Sequence, residues 1–381
     1  MTRFWDDFPT IKYDLELVQE VILESVRSRS RTITEALSNL ANRNGKLLRP
    51  GFVVLSARIR GDAETNRSGR DEPGVDSGGP GPNHKPALGE IGSADKNGSL
   101  RVELAFADVR ERDRRPEPKA LPQNIYRVAA AIELLHLATL IHDDVIDEAD
   151  VRRGQPTLHR EYGTKEAILM GDFLFSRCYR ILADNASLEN AKRLAIVVSQ
   201  IVTGEIEQSV HGPETQSTPR AYLRRVVGKT ATLVADSFYL GASEAGIGLA
   251  QTLLLRRIGY SIGMAFQIID DILDFTGRAD LLGKAPGSDL RQGVVTLPLI
   301  YAMREEAGEM IRRRVMHPES LTDAEMTDVI AQIDRCGGFA MAREKADLFT
   351  RRALRQIAVL PRGVNRDTLS EVTSRLLDRG Y

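Results

Sequence analysis

Cysteine is nearly missing: Cys178 and Cys336 are the only two in 381 residues, and their separation fits no metal-ligand spacing. A disulfide framework and a cysteine-held zinc site are thereby excluded, and buried thiols in a reducing cytoplasm are expected. Charge of one sign is not in surplus either. Lys and Arg total 52 against 53 for Asp and Glu, a formal net charge of −1. Nucleic-acid binding usually needs a basic excess, so no such partner is expected. No apolar run reaches the roughly 18 residues of a membrane helix. The N-terminus, with Asp6 and Asp7 soon after Trp5, lacks a signal-peptide pattern. The expectation is a soluble cytoplasmic protein without a membrane span. Alternating strand patterns are scarce, and no Ser-His-Asp or Cys-His pattern supplies a side-chain nucleophile.

What is present is helical. The composition, 42% hydrophobic and 28% charged, suffices for a sizeable core. Apolar residues recur at helical spacing over Ile11–Arg27, Arg31–Asn42, Lys46–Arg60, Ile125–Asp147, Lys165–Leu182 and Leu188–His211. The pattern continues over Pro219–Gly241, Gln251–Phe275, Val295–Glu306, Asp323–Arg335, Phe339–Val359 and Arg366–Asp378. Thr218-Pro219 reads as an N-cap followed by proline at the first helical position. Thr322 with Glu325 reads as a capping box. One all-α domain of antiparallel helices is expected over 1–60 and 120–381. The stretch from Gly61 to Lys119 is rich in Gly, Pro, Ser, Asn and charge, as in Gly78-Gly79-Pro80-Gly81-Pro82-Asn83. It buries too little apolar surface to offset its chain entropy, so a largely disordered surface insertion is expected there, with Arg101–Val109 as a short ordered patch.

Two acidic clusters carry the chemistry: Asp143-Asp144-Val145-Ile146-Asp147 and Asp270-Asp271-Ile272-Leu273-Asp274. At about 100° per residue, His136, Asp143 and Asp147 share one helical stripe, with Asp144 on its flank. Gln267, Asp270, Asp271 and Asp274 likewise fall within a sector of about 100°. A solvated acidic face is the ordinary alternative. It fits poorly beside Leu134, Leu135, Leu137, Leu140 and Ile141, or Ile262, Met264, Phe266, Ile268 and Ile269. Carboxylates in such surroundings repel one another and resist desolvation unless a cation joins them. Oxygen-only ligands that leave room for water and phosphate suit Mg²⁺. Cations accompany the acids: Lys46 and Arg49 three apart, Arg152-Arg153, Lys229 and Lys284. Several such donors suit a diphosphate, arginine's planar fork especially.

This set resembles the trans-isoprenyl diphosphate synthases, the polyprenyl synthetase family, on Glu133–Gly154 (ELLHLATLIHDDVIDEADVRRG) and Phe266–Gly277 (FQIIDDILDFTG). The resemblance covers nearly the whole chain except the insertion. It implies the isoprenoid synthase type I fold, a single-domain antiparallel bundle around a deep central cavity, in a homodimer. It implies Asp143 and Asp147 on two Mg²⁺ ions with Asp144 supporting, and Asp270 on a third with Asp274; Asp271 completes the second metal cluster. Arg152, Lys229 and Lys284 would assist an allylic diphosphate. Lys46, Arg49, His136 and Arg153 match positions that bind isopentenyl diphosphate. Thr230 and Gln267 match positions lining the reacting carbons, and Gly204, Glu205 and Gln208 a further pattern on a cavity-lining helix. His142 points elsewhere and reads as structural.

The implied activity joins an allylic diphosphate to isopentenyl diphosphate, repeatedly. Ala138 and Thr139, five and four residues before Asp143, are small where short-product relatives carry aromatics, which favours a medium-to-long all-trans product such as a quinone side chain. A geranylgeranyl product is the alternative. A class I terpene synthase would not need the Lys46/Arg49 pair, and a non-catalytic subunit would not need both clusters. A heteromeric partner is also compatible with the sequence. Two departures stand out: Asn44 replaces the first glycine of the usual Gly-Gly-Lys, and Gly293-Val294-Val295-Thr296 lacks a lysine common in short-chain relatives.

Overall fold

In the computed structural model the described residues are 3–43, 45–59, 119–152, 154–210, 218–277, 286–305, 308, 311, 312, 314 and 321–377, without the side chains of 207–210. The expectations for Asn44, Arg153, Lys284, the Gln208 side chain and the insertion up to residue 118 lie outside them. The chain divides into one unit of Met1–Asp62 with Ala120–Tyr381 and another of Ala63–Lys119.

A 3-10 turn, Arg3–Trp5, leads into α1 (Pro9–Ser25), α2 (Arg31–Asn42) and α3 (Leu48–Arg58). Next come α4 (Gln123–Ile146), α5 (Leu158–Tyr162), α6 (Thr164–Asn185) and α7 (Leu188–Val210). α8 (Pro219–Val226) passes through a π turn (Val227–Ala231) into α9 (Thr232–Glu244), followed by α10 (Leu249–Thr276). Then follow α11 (Ser288–Arg291), α12 (Leu297–Ala302), α13 (Asp323–Arg335), α14 (Gly338–Ile357) and α15 (Val364–Leu377). The only strands among the described residues form a two-residue ribbon, β1 (Val151–Arg152) against β2 (Gln155–Pro156). The fold is all-α, as expected.

Local chemistry explains the boundaries. The Ser30 and Thr218 hydroxyls accept from the backbone N–H of Ile33 and Ala221, which fixes the starts of α2 and α8. Thr322 and Glu325 form the reciprocal capping box that opens α13. α3 begins two residues later than expected because Leu47 holds φ at +46°, outside the helical region. α12 begins at Leu297 rather than Val295, after an extended Thr296 and with proline in its first turn.

α3, α4 and α9 are buried on nearly every side, and α9 packs against both α3 and α10. Gly241 permits the first of these contacts: a Cβ there would lie 2.1 Å from the Val53 carbonyl oxygen. Gly263 permits close approach of α10 to the π turn, where a Cβ would meet the Ala231 Cα at 2.8 Å. The expectation that no segment is apolar enough for a membrane needs correction. An 18-residue window of α4 has mean hydropathy 1.3 and passes the length and composition test. Of that window, 72% is buried inside the molecule, so burial within the bundle accounts for its apolar character.

Both acidic clusters lie at the C-terminal ends of long helices, α4 and α10. The chain leaves this unit from the opposite end. At that end Gln251 donates to the Ile59 carbonyl at 2.7 Å, and Asn365 to the Arg58 carbonyl at 2.9 Å. Arg58 grips the buried Asp14 with two 2.6 Å bonds. Tyr126 donates to Asp14 at 3.0 Å and accepts the Leu121 N–H at 2.9 Å. Exit and re-entry are thus held around one buried carboxylate. From Tyr126 to Asp143 the helical rise gives about 25 Å along α4.

Candidate active site

The clusters converge on the π turn. A helix expected to run unbroken from Pro219 to Gly241 instead takes one wide turn at Val227–Ala231, with the Thr232 hydroxyl bonded to the Val227 carbonyl at 2.7 Å. π turns of this kind often mark functional sites. Its consecutive residues Lys229 and Thr230 reach different helices. Lys229 Nζ lies 3.8 Å from Asp143 Oδ2 on α4 and 3.1 Å from Glu205 Oε1 on α7. The Thr230 hydroxyl donates to Gln267 Oε1 on α10 at 2.7 Å, and Gln267 Nε2 donates to Asp271 Oδ1 at 2.8 Å. Adjacent Cα atoms are about 3.8 Å apart, so the two acidic helices are joined through one dipeptide.

The six carboxylates are not equivalent. Asp147 and Asp270 are exposed and Asp143 is half-buried, whereas Asp144, Asp271 and Asp274 are buried. Asp144 accepts from Arg152 Nε at 2.5 Å. Asp271 accepts from the Tyr222 phenol at 2.6 Å as well as from Gln267. Asp274 accepts from the Ser288 hydroxyl at 2.8 Å and the Asp289 N–H at 3.1 Å. Sequence reasoning missed Tyr222, Ser288 and Asp289, since no motif marks them.

Burial dominates the electrostatics of the described carboxylates. Burial pushes Asp143 up to about 6; Lys229 and Arg152 oppose this, while Glu205 and Asp147 add to it. Burial likewise raises Asp144 against the pull of Arg152. Asp271 is pushed up to about 7 by burial, against the hydrogen bonds from Tyr222 and Gln267. Burial works against the Lys229 ammonium, yet Asp143 and Glu205 hold its pKa above the ordinary value. The C-terminal ends of α4 and α10 add their own negative potential. A divalent cation opposes each of these penalties.

The donors present fit such an ion. They are carboxylate oxygens, and among the described residues no three carboxylates, histidines or cysteines form a cage that would hold a metal alone. Mg²⁺ commonly takes one or two carboxylates and completes its shell with water and substrate phosphate. A protein that leaves coordination positions for a diphosphate meets that description.

Other expected residues occupy the same end of the molecule or its approach. Arg49 stands in the first turn of α3. Lys46 lies just before it, its ammonium 4.9 Å over the Phe4 ring and its carbonyl accepting the Trp5 indole N–H. His136 is half-buried on α4, and its carbonyl accepts the Thr139 hydroxyl at 2.8 Å. Thr139 keeps part of its surface exposed; Ala138 has none. His142 turns away toward α6, with Nε2 3.1 Å from the Ile168 carbonyl oxygen and the ring 5.6 Å from that of Phe175.

The family profile described as polyprenyl synthetase matches residues 102–333. The chain belongs to this family. A heptaprenyl diphosphate synthase component 2 of Geobacillus stearothermophilus is 32% identical over 97% of this chain and 96% of its own. A geranylgeranyl pyrophosphate synthase of Lactobacillus brevis, solved by crystallography, has a TM-score of 0.78 at 29% identity, covering 99% of each chain. A polyprenyl synthase of Caulobacter crescentus, complexed with calcium and isoprenyl diphosphate, gives 0.76 at 26% identity, covering 97% of this chain and 95% of its own. As a polyprenyl synthetase the chain is a prenyltransferase. Members of the family use a divalent metal and take isopentenyl and allylic diphosphates as substrates.

Proposed function

We propose that this polyprenyl synthetase condenses an allylic diphosphate with isopentenyl diphosphate, repeatedly, to a medium-to-long all-trans polyprenyl diphosphate. The carrying observation is the Lys229-Thr230 dipeptide, which contacts Asp143 on one acidic helix and Gln267, one turn before Asp271, on the other.

In this reading Asp143 and Asp147 on one side and Asp270 on the other would hold three Mg²⁺ ions and through them the allylic diphosphate, with Asp274, bonded to Ser288 and the Asp289 N–H, helping from behind. When bound, such ions act as Lewis acids toward the departing diphosphate and as a template for it. The chain supplies the rest. Arg152 holds Asp144 in place, and Lys229 exchanges its carboxylate partners for phosphate oxygens. Lys46, Arg49 and His136 bind the second diphosphate together with Arg153, and Lys284 assists the allylic diphosphate, the last two assigned by resemblance alone. Thr230 and Gln267 set oxygen atoms beside the allylic carbons, where a developing positive charge is stabilised by preorganised dipoles. Loss of a proton to the released diphosphate then restores a double bond, so no side-chain base is required.

Product length follows from what is not in the way. Neither Ala138 nor the partly exposed Thr139 carries an aromatic ring that would cap a tail. We also infer assembly with a second copy of the chain or a related subunit, supported by exposed apolar residues on α6 and α7: Ile168, Leu169, Tyr179, Ile196, Val202 and Ile206. Both cysteines are free thiols, in keeping with the cytoplasmic location we propose. The test is incubation of purified protein with Mg²⁺, isopentenyl diphosphate and allylic primers of several lengths. Linear diphosphates longer than twenty carbons are expected. A twenty-carbon limit supports the geranylgeranyl alternative, cyclic hydrocarbons a terpene synthase, and no turnover a subunit that needs a partner.

A further inference from the structure

Asp271 belongs to the second acidic cluster by sequence, yet it is only 4% exposed and both its oxygens are engaged. Oδ2 accepts from the Tyr222 phenol and Oδ1 from the Gln267 amide. Each bond dictates the next. The Gln267 NH₂ faces Asp271, as the ionised carboxylate, which only accepts, requires. Its carbonyl oxygen must then face Thr230, and the single hydroxyl proton of Thr230 is given to it. What remains unused on Thr230 Oγ1 and Gln267 Oε1 is lone-pair density alone. The chain of bonds has a direction, with positive ends turned toward Asp271 and negative ends away from it.

We propose that Asp271 is a positioning residue rather than a metal ligand, and that with Tyr222 it orients the Thr230 and Gln267 dipoles toward the reacting carbons. This rests on the prenyl-transfer reading and deepens it. An allylic cation needs electron-rich neighbours that do not themselves react. A hydroxyl whose proton is committed to an amide, and an amide oxygen already accepting one bond, satisfy both demands. Reversal of either group would turn an N–H or O–H dipole's positive end toward the cation. Tyr222 contributes by holding the carboxylate plane, since its phenol is buried beside Asp271 and lies on α8, separate from both acidic helices.

The experiment compares Asp271→Asn, Tyr222→Phe and Asp270→Asn with the unaltered full chain. Asparagine at 271 can donate as well as accept, so Gln267 loses its fixed orientation. Asp271→Asn should lower kcat at least tenfold, with KM for both diphosphates within twofold. Calorimetric binding of Mg²⁺ with inorganic pyrophosphate should also stay within twofold. Tyr222→Phe should show the same signature with a kcat loss of threefold or more, and Asp270→Asn should lose pyrophosphate binding instead. Restoration of kcat by Asp271→Glu, in part, would support orientation over packing. The proposal is overturned if Asp271→Asn weakens Mg²⁺–pyrophosphate binding tenfold, as a lost ligand would, or leaves kcat within twofold. Unchanged kcat in Tyr222→Phe overturns the part assigned to Tyr222. An unaltered protein that binds pyrophosphate but makes no polyprenyl product defeats the prenyl-transfer reading instead, while the binding comparison still decides whether Asp271 is a ligand.

Discussion

Metal affinity should fall steeply in mild acid, because burial has already raised the Asp143 carboxyl to about 6. An ion competes with the proton for that carboxylate, so apparent affinity is divided by 1 + 10^(pKa − pH). With the pKa at about 6, the divisor is about 11 at pH 5 and about 1.03 at pH 7.5. An ordinary aspartate with pKa near 3.8 would give only about 1.06 at pH 5, no measurable change. The expected loss is therefore about tenfold, equivalent to about 1.4 kcal/mol of binding free energy. Mn²⁺ in place of Mg²⁺ allows the free ion to be counted by electron paramagnetic resonance. Diphosphate is left out because it titrates in the same range. Asp143→Asn should flatten the profile. Metal-free stability carries the opposite sign: with a raised folded pKa, the Asp143 contribution is fully present below about pH 4 and lost as pH rises through about 6. An apparent affinity that changes less than twofold between pH 5 and 7.5 would refute Asp143 as a half-buried ligand of raised pKa.

Further outcomes concern stability and product length. Asp14→Ala removes the fully buried partner of the Asp14–Arg58 pair and should cost about 3–5 kcal/mol in urea unfolding; a loss under 1 kcal/mol would mean the clamp near Ile59 and Leu121 is unimportant. Thr139→Phe should shorten the product, read by chromatography of the dephosphorylated chains. Ala138→Phe, at a position with no exposed surface, should instead lower stability by about 1–3 kcal/mol through overpacking. Gly241→Ala should destabilise thermally by a comparable amount, since its Cβ would strike the Val53 carbonyl, whereas Gly204→Ala, with nothing within 4 Å, should be tolerated; equal melting temperatures would contradict the packing of α9 on α3.

Much of the fold was legible because helix periodicity and capping act locally. α2 and α13 begin and end where the apolar spacing and capping residues place them. The π turn was not legible: one extra residue hardly alters an apolar pattern averaged over a dozen positions, yet it lets Lys229 and Thr230 serve two helices. The ribbon Val151–Pro156 and the short helix Ser288–Arg291 are too brief for periodicity to register. The acidic clusters were visible because a four-residue spacing returns to one helix face. The bonds that divide those six carboxylates into buried and accessible groups were not. Tyr222 meets Asp271 across 49 positions of chain, and nothing local to either residue announces the other.

That division bears on how the site balances stability against readiness for a cation. Buried carboxylates at the negative ends of two helices oppose folding, and their shifts upward record the cost. The cost is contained where hydrogen bonds are available: Asp144 has Arg152, Asp271 has Tyr222 and Gln267, and Asp274 has Ser288 and the Asp289 N–H. Asp143 has Lys229, at 3.8 Å and closer to Glu205 than to itself. An ammonium shared between two acids is fully committed to neither. It also sits on a flexible stem that can follow a phosphate once a divalent ion takes the carboxylates. Committing the inner carboxylates to fixed donors, while Asp143 shares its lysine with Glu205 and Asp147 and Asp270 stay exposed, sets the cation-binding carboxylates on the side where a diphosphate must arrive. The same arrangement explains why a preformed cage is not needed: an ion held modestly by the carboxylates alone is held more tightly once the substrate's own oxygens complete its shell.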